Sequence, residues 1–531
     1  MTALSTTVVA ETADDITAVL LDVRQPCWIV RHDGRMGATS DAAVAARSQV
    51  LTAVAPLPPE LLGDRKFHVA HGVRAAYAAG AMANGIAAPA LVAAMARAGY
   101  LASYGAAGVT PPAVDAALAE LSSLGKPFAC NLIHSPSEPA LERAIVDSCL
   151  RHRVRCVEAS AFMGLTTEVV RYRAAGLGID RHGRIEVRNR LIAKVSRVEV
   201  AEPFLRPAPV ALLRRLVESG DLTPEQARLA EHVPMADDIT AEADSGGHTD
   251  RRPLLVLFPE LVAARDRIAT TVPAAAAVRI GAAGGIGTPA AAAAAFALGA
   301  AYVVTGSINQ ATREAAQCET TKQLLARADF ADCTMAPSSD MFELGVQVQV
   351  LRRGTMFAAR AQRLYDTYRA YAGLDDIPAD LRRDLEATLF RRPLETVWQD
   401  CVAYFTERDP GQLAGADEDP KRKMALVFRW YLGLSSGWSI RGEADRTADY
   451  QIWCGPAMGG FNNWVAGTYL AALDNRHAAD IADQMMLGAA YLTRIAQLRT
   501  AGVRLPAECT RFVPRPIQQP AGRAGRVESR C

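Results

Sequence analysis

Lys194 is the residue in this chain whose setting most plainly calls for chemistry. It is flanked by Ile192, Ala193 and Val195, and an ammonium carried in so apolar a run needs an anionic or electron-rich partner. His248 follows Gly246-Gly247, with Asp244-Ser245 before them; the paired glycines free the backbone to bring an imidazole to a site, the alternative being a surface-loop histidine. Asn84, between Ala83 and Gly85, and Asn131, with His134 beyond it, are either amide ligands or turn formers. Glu158, followed by Ser160, is either a site carboxylate or the partner of nearby Arg155. Two small-residue turns complete the set, Ala283-Gly284-Gly285 and Thr305-Gly306-Ser307. Glycine turns at strand ends expose main-chain N–H groups that cradle a phosphate, and two in succession suit the phosphate site of a (β/α)₈ barrel; otherwise they are ordinary strand-to-helix turns.

These residues need a scaffold that gathers strand ends. From Val69 the chain alternates short apolar runs with helical stretches, the pattern of parallel βα units. Eight strands are expected, near 78–83, 101–104, 128–132, 154–159, 191–195, 239–243, 278–282 and 301–305, with helices among them at 87–98, 112–121, 140–152, 224–230 and 254–268. In an open doubly wound sheet the nucleotide motif would follow the first strand; here the glycine-rich turn follows the seventh, which favours the barrel. After that turn, Thr288 is a good N-cap, Pro289 suits the first helical position, and Gly299 fits just past the end of the alanine run. Every candidate residue then falls at or near the C-terminal end of a barrel strand.

The fold class expected is therefore α/β, a TIM (β/α)₈ barrel at residues 66–334, with a small N-terminal appendage and linker at 1–65 and a mostly helical C-terminal domain at 335–512. In the appendage, Cys27–Val30 and the turn Asp33-Gly34 predict a hairpin, and Pro56, Pro58 and Pro59 a linker. In the C-terminal part, 341–371, 379–405, 421–432 and 477–500 read as helices, and the aromatic, glycine-rich 450–464 as a loop. That loop either packs internally or closes over a ligand. The tail 513–531 is expected to be disordered.

Composition narrows the function classes. The 531 residues are 50% hydrophobic with a formal net charge of +1, which gives no reason to expect nucleic acid as a partner. The ten cysteines include no CxxC pair and no zinc spacing, so no metal site is expected and the thiols suit a reducing, cytoplasmic setting. Acids at Glu11, Asp14 and Asp15 speak against a signal peptide, and Arg279, Pro289 and many glycines interrupt the most apolar stretch, so no membrane span is read.

A phosphate site at strands seven and eight, amides at the early strands and a cation in strand five together describe a pocket for flavin mononucleotide (FMN). A lysine at the pyrimidine edge would stabilise the negative charge of the reduced ring. On this reading the cofactor lies among Ala83, Asn84 and Gly85; Asn131; Glu158; Lys194; Ser245, Gly246 and Gly247; Ala283, Gly284 and Gly285; and Thr305, Gly306 and Ser307.

Over nearly all of 15–510 the sequence resembles the trans-acting enoyl reductases of polyketide and polyunsaturated fatty acid synthases. These form the PfaD-like branch of the 2-nitropropane dioxygenase-like flavoproteins. The resemblance rests on AGAMANGIAAP (79–89), PFACNLIHSP (127–136), VEASAFMGLT (157–166), ADDITAEADSGGHTD (236–250), RIGAAGGIGTP (279–289), VVTGSINQAT (303–312) and, most specifically, the long motifs beginning MAPSSDMFELG (335) and IWCGPAMGGFNNW (452). It implies an FMN barrel with an added helical domain. It also implies hydride transfer from NADPH through FMN to the β-carbon of an α,β-unsaturated thioester on an acyl carrier protein. Carried over, Gly284, Gly285, Gly306 and Ser307 hold phosphate, Ala83, Asn84, Asn131 and Lys194 line the flavin, and His248 stands at the reacting thioester. A homodimer is the candidate assembly, and Lys421-Arg422-Lys423 is either a carrier-docking run or a solvated helix start. The competing readings are a nitronate monooxygenase-type flavin oxidase and a non-catalytic synthase assembly protein.

Overall fold

A computed structural model describes residues 9–135, 139–408 and 410–516. Its centre is a closed barrel of eight parallel strands: Tyr77–Ala79, Leu101–Tyr104, Ala129–Ile133, Cys156–Ser160, Arg190–Val195, Asp238–Glu242, Arg279–Ala283 and Val303–Thr305. The last pairs with the first, Val303 opposite Tyr77 and Thr305 opposite Ala79. All eight expected strands are present, displaced by a few residues at most of their ends. The first is the exception, stopping at Ala79 where residues 78–83 were expected; the rest of that stretch leads into a turn at Asn84 (φ 55°) and Gly85 (φ 71°). Most of these strands are buried along their length, as expected where helices cover the outside and packed side chains fill the inside.

The bottom of the barrel is closed electrostatically. Asp238 accepts hydrogen bonds from Arg279 Nε and a second guanidinium nitrogen at 2.6 and 2.7 Å, and His71 Nε2 lies 2.8 Å from one of the same carboxylate oxygens. Asp238 is fully buried; burial disfavours its charge, but the His71 and Arg279 contacts outweigh that and hold its carboxyl below the usual range.

The helix after the glycine-rich turn runs Pro289–Ala297, with Thr288 Oγ1 accepting from Ala291 N at 3.2 Å and Gly299 at φ +96° beyond its end, as its sequence predicts. Its small-residue face packs against the long helix Ala478–Thr500, which also meets Pro89–Arg97, the helix after the first strand. That helix therefore takes the eighth outer position of the barrel. Gly488 permits the approach: a Cβ there would come 2.6 Å from Pro289.

The 335–512 segment is shared between two cores. Ile452, Cys454, Met458 and the buried face of Ala478–Thr500 belong to the barrel core. Phe342, Leu364, Leu385, Leu394, Phe428 and Leu432 build a separate one, inserted between the eighth strand and the eighth helix. Three local expectations are corrected here. The 341–371 helix is instead a loop, the strand Gln347–Leu351 and a helix only from Phe357 to Ala370; the alternation Val346-Gln347-Val348-Gln349-Val350 has strand periodicity, and Gly345 and Gly354 at positive φ break any helix. The 379–405 helix divides at Arg391, which takes a left-handed φ of 59° before Pro393. The 450–464 loop contains the helix Ala457–Val465.

At the N-terminus the expected hairpin is present, Cys27–His32 with Arg35–Thr39 around Asp33-Gly34, and Gln49–Val54 adds a third strand. Buried Arg494 of the eighth outer helix donates to the carbonyls of Leu20, Asp22, Val23, Gln25 and Ala55, fastening this appendage to the barrel. Most of the tail, 517–531, lies outside the described residues. Among the described residues no helix is long and apolar enough to cross a membrane.

Candidate active site

The two glycine turns stand at the ends of adjacent strands, seven and eight. Gly284 (φ +82°) is needed for packing, since a Cβ there would lie 2.5 Å from the Ala243 carbonyl carbon. Gly285 and Gly306 differ: a Cβ on either would meet nothing within 4 Å. The main-chain N–H groups of Gly285, Gly306 and Ser307 have no acceptor among the described residues. Free donors beside open space are what an anion's oxygens require. Ser307 Oγ accepts from Gly455 N at 3.0 Å, which ties this turn to the 452–456 strap. The Thr305 side chain faces inward, 2.6 Å from Tyr77 Oη, so only its backbone belongs to the turn.

On strands five, four and six, Lys194 sits between two carboxylates. Its Nζ is 2.9 Å from Glu242 Oε1, and the Glu158 charge acts on it as well. Burial works against the ammonium, but the two acids outweigh it, so Lys194 stays cationic above the ordinary lysine range. Glu158 is shifted away from ionisation, its carboxyl raised by burial against the pull of Lys194, and its Oε1 is buried with no hydrogen-bond partner. Asn131 spends its amide N–H groups on Glu158 O (3.0 Å) and Ser160 Oγ (2.8 Å). An unpartnered acceptor next to a fixed cation is a polar platform for a ligand carrying both a donor and developing negative charge.

His248 forms a two-residue strand with Gly247, pairing antiparallel with Gln347–Leu351, itself paired with Cys333–Pro337. The insertion's β-arm thus continues across the end of strand six. Gly246 packs on Cys454, where a Cβ would fall 2.9 Å from backbone atoms, and Gly247 takes φ +79°. Gln349 donates to Asp244 Oδ1 and Ser245 O, both at 2.8 Å, and Ser245 Oγ donates to Glu242 at 3.3 Å. His248 Nε2 lies 3.2 Å from Asp340 Oδ1 and 3.1 Å from Ser338 Oγ. Partial burial opposes charge on the ring, and Asp340 and Glu242 overcome this to raise its pKa; Asp340 is lowered to about 2.

The structure therefore gathers Glu158, Lys194, Ser245, Gly246, Gly247 and His248 around the ends of strands four to six. Ala283, Gly284, Gly285, Thr305, Gly306 and Ser307 lie at strands seven and eight. The first turn is less open. Asn84 N donates to Ala107 O, Gly85 N to Gly105 O, and the Asn84 amide reaches Ser436 Oγ on the helix Pro420–Arg441 at 3.2 Å. Ala83 stands beside them, and its carbonyl accepts from Ile86 N. The basic run is turned onto the insertion: Lys421 donates to Tyr368 and Tyr371 carbonyls, Arg422 to Gln412 O, and Lys423 lies over the Trp398 ring. Glu242, Ser338, Asp340 and Gln349 were not singled out from sequence. An acid at the C-terminal end of strand six, two residues before Asp244, was the available signal for Glu242.

The nitronate monooxygenase family matches residues 75–361, and the inserted helical domain of [acyl-carrier-protein] S-malonyltransferase matches 371–450. The chain is 44% identical over 507 residues to a polyunsaturated fatty acid synthase polypeptide of Thraustochytrium sp., covering 94% of this chain and 34% of that protein. It is 41% identical over 441 residues to the polyketide biosynthesis protein PksE of Bacillus subtilis, covering 82% of this chain and 57% of PksE. The chain thus spans about a third of the first relative and somewhat over half of the second. The crystal structure of the enoyl reductase domain of MlnA, from the macrolactin biosynthesis cluster of Bacillus amyloliquefaciens, superposes with a TM-score of 0.79 at 37% identity, covering 83% of this chain and all of that domain.

Proposed function

Because the chain belongs to the nitronate monooxygenase family, in the enoyl reductase branch associated with polyketide and polyunsaturated fatty acid synthases, we propose that it reduces α,β-unsaturated acyl thioesters on an acyl carrier protein, using NADPH and FMN. The observation that carries the proposal is the pairing of free main-chain donors at Gly285, Gly306 and Ser307 with a fixed cation, Lys194, beside the unpartnered Glu158 oxygen. These groups fit a phosphate at one end and a ring with an N–H donor and an anionic reduced form at the other. FMN bound there would supply two-electron chemistry, accepting hydride from a nicotinamide and passing it to the β-carbon of the thioester.

The chain's own residues then divide the work. The glycine turns and Ser307 bind the phosphate. Lys194 holds positive charge where negative charge develops, and the two neighbouring carboxylates keep it in place and ionised. His248 meets the thioester. The strap through Cys454 and Gly455 holds the histidine turn against the phosphate turn. The inserted helices, similar to the inserted domain of an acyl-carrier-protein malonyltransferase, support a carrier protein as the bearer of the substrate.

The test is to record the visible spectrum of the purified protein and follow NADPH oxidation with a crotonyl thioester on a carrier protein. Flavin absorbance and enoyl-dependent oxidation of NADPH are expected. Oxygen consumption with an alkyl nitronate, without nicotinamide and with no enoyl reduction, would replace this reading with the nitronate oxidase.

A further inference from the structure

The barrel alone does not complete the histidine site. His248 is held by two residues of the insertion's β-arm, Ser338 and Asp340, which the chain reaches only after leaving the eighth strand. Ser338 is buried and its backbone N–H donates to Val346 O at 2.9 Å, so the turn that presents both side chains is anchored. The Ser338 hydroxyl donates to Asp340 Oδ1. With that proton committed, Ser338 Oγ and Asp340 Oδ1 both present lone pairs to His248 Nε2, and Nε2 must carry hydrogen. Nδ1 has no partner among the described residues, so it is the nitrogen left for a substrate.

We propose that Asp340, with Ser338, is a positioning residue that fixes the orientation of His248, so that Nδ1–H is the proton delivered to the α-carbon of the substrate. This rests on the enoyl reductase reading. In that reaction the β-carbon gains a hydride, which the reduced nicotinamide would supply with the cofactor bound, and the C=C π pair moves to the α-carbon. There it forms a C–H bond with the proton from Nδ1, while the N–H electron pair stays on the ring. Water then returns a proton to the neutral imidazole. The nicotinamide is oxidised and the alkene reduced, with no other redox partner.

The charges facing the ring come from three elements: Asp340 on the arm, Glu242 on strand six and Lys194 on strand five. Asp340 and Glu242 favour the protonated ring and Lys194 opposes it, so Asp340 is needed to keep the proton available near neutral pH. Asp340 remains about half exposed, at 51%, so replacing it by Asn leaves no buried vacancy in the fold.

The experiment compares wild type, Asp340→Asn and Asp340→Glu, each labelled at histidine Cε1, with the His248 resonance identified by its loss in His248→Gln. In Asp340→Asn the imidazole should titrate about one pH unit lower, and the basic limb of kcat/KM for an enoyl thioester should move with it. At about pH 8 that is about a tenfold loss, shrinking towards none at about pH 6, and Asp340→Glu should recover most of it. An unchanged His248 titration, or a loss equal at all pH values, would overturn the inference and leave the enoyl reductase reading standing. Wild-type protein inert towards enoyl thioesters would overturn both, whatever the titration shows.

Discussion

Replacing Lys194 by Met should expose the electrostatics of the site floor through stability alone. Lys194 Nζ is 2.9 Å from Glu242 Oε1, and the two side chains are only 22% and 17% exposed. At that separation and an effective dielectric of about 20, the attraction is about 5–6 kcal/mol, most of it offset by desolvating both ends. Removing the cation strands Glu242 near the buried Glu158. Breaking a fully buried pair costs about 3–5 kcal/mol, and the remaining exposure here reduces that to about 2–3 kcal/mol. The penalty should depend on pH. Without Lys194 the folded pKa of Glu158, already raised by burial, loses the charge that held it down and rises further. A protonated Glu158 then relieves the strain at low pH, and stability is lost as pH climbs through its raised folded pKa. Urea unfolding at about pH 5 and about pH 8 would read this, with Lys194→Met/Glu242→Gln recovering more than half the loss at the higher pH. An equal midpoint for Lys194→Met and wild type at both pH values, or no recovery in the double variant, would refute the idea that the cation and the acids form one unit.

The two glycine turns should separate packing from binding. Gly284→Ala places a Cβ 2.5 Å from the Ala243 carbonyl carbon at φ +82° and should cost about 2–3 kcal/mol in unfolding measurements. Gly306→Ala puts its methyl into open space; its melting temperature without flavin should stay close to wild type, while FMN affinity measured by fluorescence quenching falls at least about tenfold. At the barrel bottom, Asp238 has a lowered folded pKa, so its contribution is present above the unfolded value of about 4 and is lost as pH falls below it. Asp238→Asn should therefore lose about 3 kcal/mol at neutral pH and show a flatter acid limb in stability against pH.

The barrel is legible in the sequence because parallel strands covered by helices appear as short apolar runs between turn residues, and all eight did. The glycine turns and the Gly-Gly-His run are equally local signals. What escapes is long-range. Glu242 as partner to Lys194 depends on the register between strands five and six, where Lys194 lies opposite Thr240. Ser338 and Asp340 stand just ahead of the segment read as a helix from 341, with nothing local to mark them, and their link to His248 runs through a two-residue strand that no propensity marks. Asn84 had the composition of a ligand, yet its amide is turned towards Ser436, a contact made only once the insertion packs on the barrel. In 450–464 the glycines concealed a helix: Gly459 is there because a Cβ would fall 1.9 Å from Phe330 N, a packing demand that lowers local helix propensity.

The central claim is that the free amides at strands seven and eight and the cation of strand five hold a flavin that reduces enoyl thioesters. Its most direct test is anaerobic mixing of the FMN-loaded protein with NADPH and then with a crotonyl thioester on a carrier protein, monitored at the flavin absorbance band. Bleaching by NADPH and recovery of the band on adding the thioester, with one saturated product per flavin, are predicted. A protein that stays colourless with FMN, or whose bleached band recovers only with oxygen, would contradict the account.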